Sequence, residues 1–269
     1  MIGVFDSGLG GPTIYRALVK KLPVYRYLYL GDNAHLPYGS RSNEIIYRYT
    51  ERAVDFMFKK GCFLIILACN TSSAVALRPL QKNYLVRHYP QRRLLGVLIP
   101  AAEEAARKTR NKRVGIIGTE ATINSHTFRA EILKLDPQIK VWERACPLLV
   151  PIIEAGEFNW RGLDDILKKY LTPLKEQKID TLVLGCTHYA LIKGKIKKVM
   201  GPKVKLISED EIIAPKLKNY LARHPEIERH LKKGGKNEQW VTAYSQRFNE
   251  ISRLFMKEPL PFKLTDLSL

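Results

Sequence analysis

Short apolar runs rich in β-branched residues alternate along the chain with longer stretches that are apolar on one face only. The strand candidates are IGVFD, YRYLYL, CFLIILA, LLGVLI, RVGIIG, IKVWE, TLVLG, KVKLI and QWVTAY. Helical periodicity fills most of the intervals, as in TIYRALVKKL, EIIYRYTERAVDFMFKK, SAVALRPLQKNYLV, AAEEAARKTR, TFRAEILKL, GLDDILKKYLTPLKEQ and IIAPKLKNYLARH. This alternation predicts an α/β fold with mostly parallel sheets. Pro79 and Pro173 fall inside helical stretches and predict kinks or breaks.

Two of the apolar runs end in the same way. LIILACNTSSA carries Cys69 and TLVLGCTHYA carries Cys186, each at the switch from a buried strand to a new helix. In open α/β sheets ligands bind at such strand ends, and a helix N-terminus stabilises a thiolate through its unpaired amides and dipole. The chain is also doubled. Its first half has strands ending in FDSGLGG and ACNTSSA, its second half strands ending in RVGIIGTEAT and LVLGCTHYA. Two similar lobes facing each other across a cleft account for this, with GVLIPAA as the crossing point and the last strand and helix free to return to the first lobe.

The length of 269 residues suffices for a sizeable core in one large domain or two small ones. The opening MIGVFDSGLGG lacks the basic and apolar regions of a signal peptide, and no apolar run approaches the roughly 18 residues of a membrane span. A soluble cytoplasmic protein is expected, with Cys62, Cys69, Cys146 and Cys186 as free thiols. Cys62 and Cys146 read as small buried hydrophobes. No zinc-type spacing of Cys and His occurs, so no metal site is expected.

Lys and Arg number 45 against 26 Asp and Glu, a net charge of +19. Such an excess raises a nucleic-acid partner, but the basic residues are dispersed over helix faces and loops and carry no RRM, KH or zinc-finger signature. Solvated surface is the simpler reading, and a positive potential also attracts a small dianion.

FDSGLGG does not fit a phosphate cradle, because Thr13 stands where G-x-G-x-x-G needs its last glycine and no GK[ST] follows. Its glycines let backbone approach a small ligand while Asp6 points into the cleft; alternatively Asp6 is a capping or turn residue. In GDNAHLPYG, Pro37, Tyr38 and Gly39 read as a rigid turn offering amides and a phenol, Asp32 as a turn cap, and His35 as either a solvated or a functional loop histidine. Asn70 and Thr71 after Cys69, and Thr187 and His188 after Cys186, can donate hydrogen bonds to a carboxylate. One Cys with one His would suffice for nucleophilic catalysis, but that leaves the second thiol idle. Inverting a carbon centre instead requires a base on one face and an acid on the other, roles that two thiols can exchange, with Asp6 and His188 as assisting groups on opposite sides.

FDSGLGG, the PYG of GDNAHLPYG, ACNTSSA and GCTHY, in this order and with GTEATINS and CPLLVPIIEAG between, resemble the glutamate racemase family. The resemblance covers Ile2 to about Ile207, and His188 favours the glutamate over the aspartate branch, aspartate racemase being the nearest alternative. It implies two α/β lobes with the site between them, residues 1–97 plus 208–269 forming one and residues 98–207 the other. Cys69 would act on D-glutamate with help from Asp6, and Cys186 on L-glutamate with help from Glu154 and His188. Asp6, Ser7, Pro37, Tyr38, Gly39, Asn70, Thr71, Thr187 and His188 would bind substrate, with Thr119 and Thr122 close to it. No cofactor, a homodimer and a supply of D-glutamate to peptidoglycan are further implications, and a secondary contact with DNA gyrase would give the basic charge a role. The chain departs from the usual pattern at Ile99, at Ala190 where a proline is common, at Ser208 and Glu209 in place of Asp-Ser, and in VTAYSQRF near the C-terminus.

Overall fold

A computed structural model of the protein describes residues 1–244, 248–250, 252–253 and 261–267; part of VTAYSQRF, residues 245–247, lies outside this set. The strands are β1 (Ile2–Asp6), β2 (Tyr27–Gly31), β3 (Leu64–Leu67), β4 (Arg93–Gly96), β5 (Arg113–Gly118), β6 (Lys140–Ala145), β7 (Thr181–Gly185), β8 (Lys205–Ile207), β9 (Glu238–Val241) and β10 (Lys263–Leu264). They form a six-stranded sheet in the order β10-β9-β2-β1-β3-β4 and a four-stranded sheet in the order β6-β5-β7-β8. All pairings between these strands are parallel. The protein is thus an α/β molecule with two parallel sheets flanked by helices.

Strand alternation explains how each sheet is covered. In the larger sheet Phe5, Leu28, Leu30, Ile65 and Leu67 enter one core with the helix Asn43–Lys59, while Val4, Tyr27, Tyr29, Leu64 and Ile66 enter another with the helices Gly11–Lys21 and Glu209–Arg223. In the smaller sheet Ile117, Leu182 and Leu184 face the helix Arg161–Glu176, and Val114, Ile116 and Val183 face the helices Leu98–Lys108 and Thr127–Leu135. Each such side chain is worth about 1.5–3 kcal/mol when fully buried, so the two-faced apolar runs are what define both sheets.

Both sheets have a point where strand order reverses, between β1 and β3 in one and between β5 and β7 in the other. Chains leaving adjacent strands there diverge to opposite faces and open a crevice at the carboxyl ends. Cys69 follows β3 and Cys186 follows β7 at these two crevices.

Two local expectations are corrected and a third is met. In LLGVLI the strand stops at Gly96, and Leu98 already begins a helix that carries Pro100 in its first turn, where a proline needs no amide partner. The helix Arg161–Glu176 runs unbroken through Pro173, which is on its exposed side, away from the core that holds the helix in place. At Pro79 the predicted distortion is present: residues 77–88 stay helical but widen into a π turn at Leu80–Tyr84.

Candidate active site

The two thiols open onto one cleft of about 270 Å³, whose walls include Cys69, Asn70 and Thr71 from the larger sheet and Thr119, Cys186, Thr187 and His188 from the smaller. The volume suits a small metabolite. Three helix N-termini converge on it, at Asn70, Glu120 and Thr187, each leaving unpaired amides that favour an anion.

Cys69 caps the turn Asn70–Val75, its Sγ accepting from the Ser72 amide at 3.5 Å and from Ser7 Oγ at 3.0 Å. Burial and the nearby Asp6 push this thiol up to about 11 despite those hydrogen bonds. Cys186 has a different neighbourhood. Its Sγ is 3.6 Å from His188 Nδ1, and His188 Nε2 is 3.0 Å from Glu154 Oε1. Burial alone would lower the His188 imidazole, but its hydrogen bonds to Cys186 and Glu154 outweigh this and hold it protonated well above the ordinary range. One thiol therefore has a hydroxyl and a carboxyl behind it, the other an imidazolium and a carboxylate.

The two sides of the cleft are locked together by small residues. Thr71 Oγ1 is 3.0 Å from Thr119 Oγ1 and 3.3 Å from Thr122 Oγ1. A Cβ on Gly39 would stand 2.6 Å from the Thr119 Cβ, and one on Gly10 would stand 2.2 Å from Thr187 Oγ1 and 2.8 Å from the His188 amide nitrogen. Gly10→Ala is therefore expected to push apart the groups that close the cleft, at a cost of about 1–3 kcal/mol. In a thermal scan this is a melting temperature lowered by roughly 2–10 °C, with far-ultraviolet circular dichroism at about 25 °C unchanged.

A model of the family described as Asp/Glu/Hydantoin racemase matches residues 2–214. The chain belongs to the Asp/Glu/Hydantoin racemase family. The glutamate racemase of Lactobacillus helveticus is 38% identical over 255 residues, 95% of this chain and 92% of that one. Among solved structures, a glutamate racemase isoform from Bacillus anthracis superposes with a TM-score of 0.91 at 32% identity, covering 99% of this chain and 97% of that one. The glutamate racemase of Francisella tularensis, solved in complex with D-glutamate, gives 0.88 at 30% identity over 99% and 97% of the two chains.

In this member of the Asp/Glu/Hydantoin racemase family, Ser7, Pro37, Tyr38, Gly39, Cys69, Asn70, Thr71, Thr119, Glu154, Cys186, Thr187 and His188 line the cleft. Asp6 and Thr122 stand behind the wall. Rather than pointing into the cleft, the Asp6 carboxylate accepts from the amides of Gly8 and Gly11, both at 3.0 Å, and lies 3.5 Å from Thr187 Oγ1. Burial pushes it up to about 6, against the pull of His188 and those amides. The Tyr38 phenol is likewise turned away and donates to Asp32 Oδ2 at 2.5 Å. Asp32 also engages His35 Nδ1 at 2.8 Å and Thr242 Oγ1 at 2.7 Å, so His35 braces the loop from outside.

Sequence reasoning missed two neighbours of the site. Cys146 is buried as expected, yet it lies on the cleft wall, and burial pushes its thiol up to about 12. Glu209 is 3% exposed, and burial pushes its carboxyl up to about 8. A carboxyl raised on folding contributes stability that is full below the unfolded range and is lost as pH rises through its folded value. Wild-type melting should thus fall between about pH 4.5 and 8, and Glu209→Gln should flatten that decline in thermal scans across this window.

Proposed function

We propose that the protein is a cofactor-independent glutamate racemase with two lobes, residues 1–97 plus 208–269 and residues 98–207, that interconverts L- and D-glutamate. The observation that carries this reading is a pair of thiols opening onto one cleft of metabolite size, each with its own assisting groups. From L-glutamate, Cys186 takes the Cα proton while the His188 imidazolium, braced by Glu154, stabilises charge beside it. Cys69, protonated at rest, delivers its proton to the opposite face of the planar carbanion and is left as the thiolate. Solvent then returns a proton to Cys69 and removes one from Cys186. D-glutamate runs the same cycle backwards, with Asp6 behind Cys69 and Ser7 on its sulfur.

The amides at the helix N-termini, with Ser7, Gly39, Asn70, Thr71 and Thr187, hold the two substrate carboxylates, and Thr119 and Thr122 brace Thr71. D-glutamate for peptidoglycan is the product's destination, and the working unit is a homodimer. An assay of purified protein with L- and D-glutamate, aspartate and alanine, and no added cofactor, tests the reading. Racemisation of both glutamate enantiomers well above the others supports it; faster turnover of aspartate, or none of any, overturns it.

A further inference from the structure

The turn at residues 37–40 is one wall of the cleft, yet the polar groups that fix it lie behind that wall. Its Tyr38 ring is buried against Phe5 and Tyr49, at centroid distances of 6.4 and 5.6 Å, and its phenol donates to Asp32 Oδ2 at 2.5 Å. Asp32 is itself 1% exposed, so its carboxylate depends on protein donors. It has three of them: the Tyr38 phenol, His35 Nδ1 at 2.8 Å and Thr242 Oγ1 at 2.7 Å. The first two come from its own loop. Thr242 stands directly after β9, 210 positions further along the chain.

Thr242 is joined to the loop after β2 by more than that one bond. Its amide donates to the Gly31 carbonyl at 3.0 Å, and its hydroxyl oxygen accepts from the Ala34 amide at 2.9 Å. The Ala243 carbonyl beside it accepts from Asn33 Nδ2 at 3.2 Å. The hydroxyl thus donates and accepts at once, which a valine of the same shape cannot do. At the other end of this relay, Gly39 abuts Thr119 of the smaller sheet so closely that an added Cβ would stand 2.6 Å from the Thr119 Cβ. A shift of the turn therefore alters the cleft directly.

We propose that Thr242, which does not itself line the cleft, is a positioning residue for it: the Thr242 hydroxyl holds the Asp32 carboxylate, Asp32 holds the Tyr38 phenol, and the turn is thereby set at the spacing substrate requires. The inference rests on the racemase reading and deepens it. A binding wall near the N-terminus is in this way completed by the C-terminal part of the chain. The turn meets substrate in the ground state and the transition state alike, so loosening it weakens binding and leaves the two thiols as they are. The effect falls on KM rather than kcat.

The test measures KM and kcat for glutamate, together with the melting temperature, in wild type, Thr242→Ser, Thr242→Val, Tyr38→Phe and the double variant Thr242→Val with Tyr38→Phe. Thr242→Val is expected to raise KM roughly five- to tenfold, about the worth of one hydrogen bond, with kcat within about twofold. Thr242→Ser keeps the hydroxyl and should hold KM within about twofold of wild type. Tyr38→Phe cuts the other end of the same relay and should raise KM by a similar factor. The double variant should be little worse than either single one, since a turn already released has no more to lose. A lowered melting temperature with unchanged KM in Thr242→Val, or KM factors that multiply in the double variant, overturns the positioning role. Should Thr242→Val not fold, Thr242→Ala, which leaves room for water against Asp32, takes its place with the same expected rise and the same overturning results. Absence of glutamate turnover by the wild type overturns the racemase reading and this inference with it.

Discussion

Cys69→Ala and Cys186→Ala should each lower kcat/KM for racemisation by roughly a hundred- to ten-thousandfold, the range for loss of a positioned acid or base. The loss must be equal from both enantiomers. L- and D-glutamate have the same free energy in water, so the ratio of forward to reverse kcat/KM is unity for any variant, however asymmetric its site. What distinguishes the two thiols is hydrogen exchange without inversion. In deuterium oxide, Cys69→Ala retains the base for L-glutamate and should exchange its Cα hydrogen with retention while D-glutamate stays inert. Cys186→Ala should show the converse. Proton nuclear magnetic resonance of the Cα position, combined with chiral chromatography, reads both outcomes, and exchange of the same enantiomer by both variants would refute the assignment of faces.

His188→Ala should have the second largest effect, a fall in kcat/KM of roughly a hundredfold or more. His188 is 5% exposed and touches Cys186 on one ring nitrogen and Glu154 on the other, so its removal takes the positive charge from beside Cys186 and leaves Glu154 without its imidazole partner. The decisive readout is again one-sided. Added to Cys69→Ala, His188→Ala should slow exchange of L-glutamate; added to Cys186→Ala, it should leave exchange of D-glutamate within a few-fold. Equal slowing in both backgrounds would mean that His188 supports the cleft as a whole rather than Cys186.

Much of this architecture is legible in the chain because it depends on local patterns. The run LIIL is short and apolar on both sides, its length and the small residue, Cys and polar cap that follow favour a covered strand turning into a helix, and the structure has both. The same logic locates β7 and Cys186, and it therefore locates both crevices. Contacts made at long range are not legible in this way. Of the two readings of Asp6, the local one as a capping or turn residue is met by the amides of Gly8 and Gly11, whereas the hydroxyl of Thr187, 181 positions away, which helps hold it behind the wall, leaves no trace in the chain. Tyr38 reads from the chain as a phenol offered to substrate, but it donates its hydrogen bond to Asp32 instead. Cys146 and Glu209 carry no local signal, since a buried thiol and an acidic first turn are ordinary features of cores and helix starts. β10, two residues long at a sheet edge, is too short to leave a pattern.

In racemisation by two thiols, one proton leaves one face of the substrate to one thiol and a different proton arrives at the other face from the second. Early in the reaction in deuterium oxide, starting from either pure enantiomer, mass spectrometry of the separated enantiomers tests this directly. Antipode fully labelled at Cα beside unlabelled remaining substrate is expected; antipode that keeps its original hydrogen would rule out transfer between two thiols.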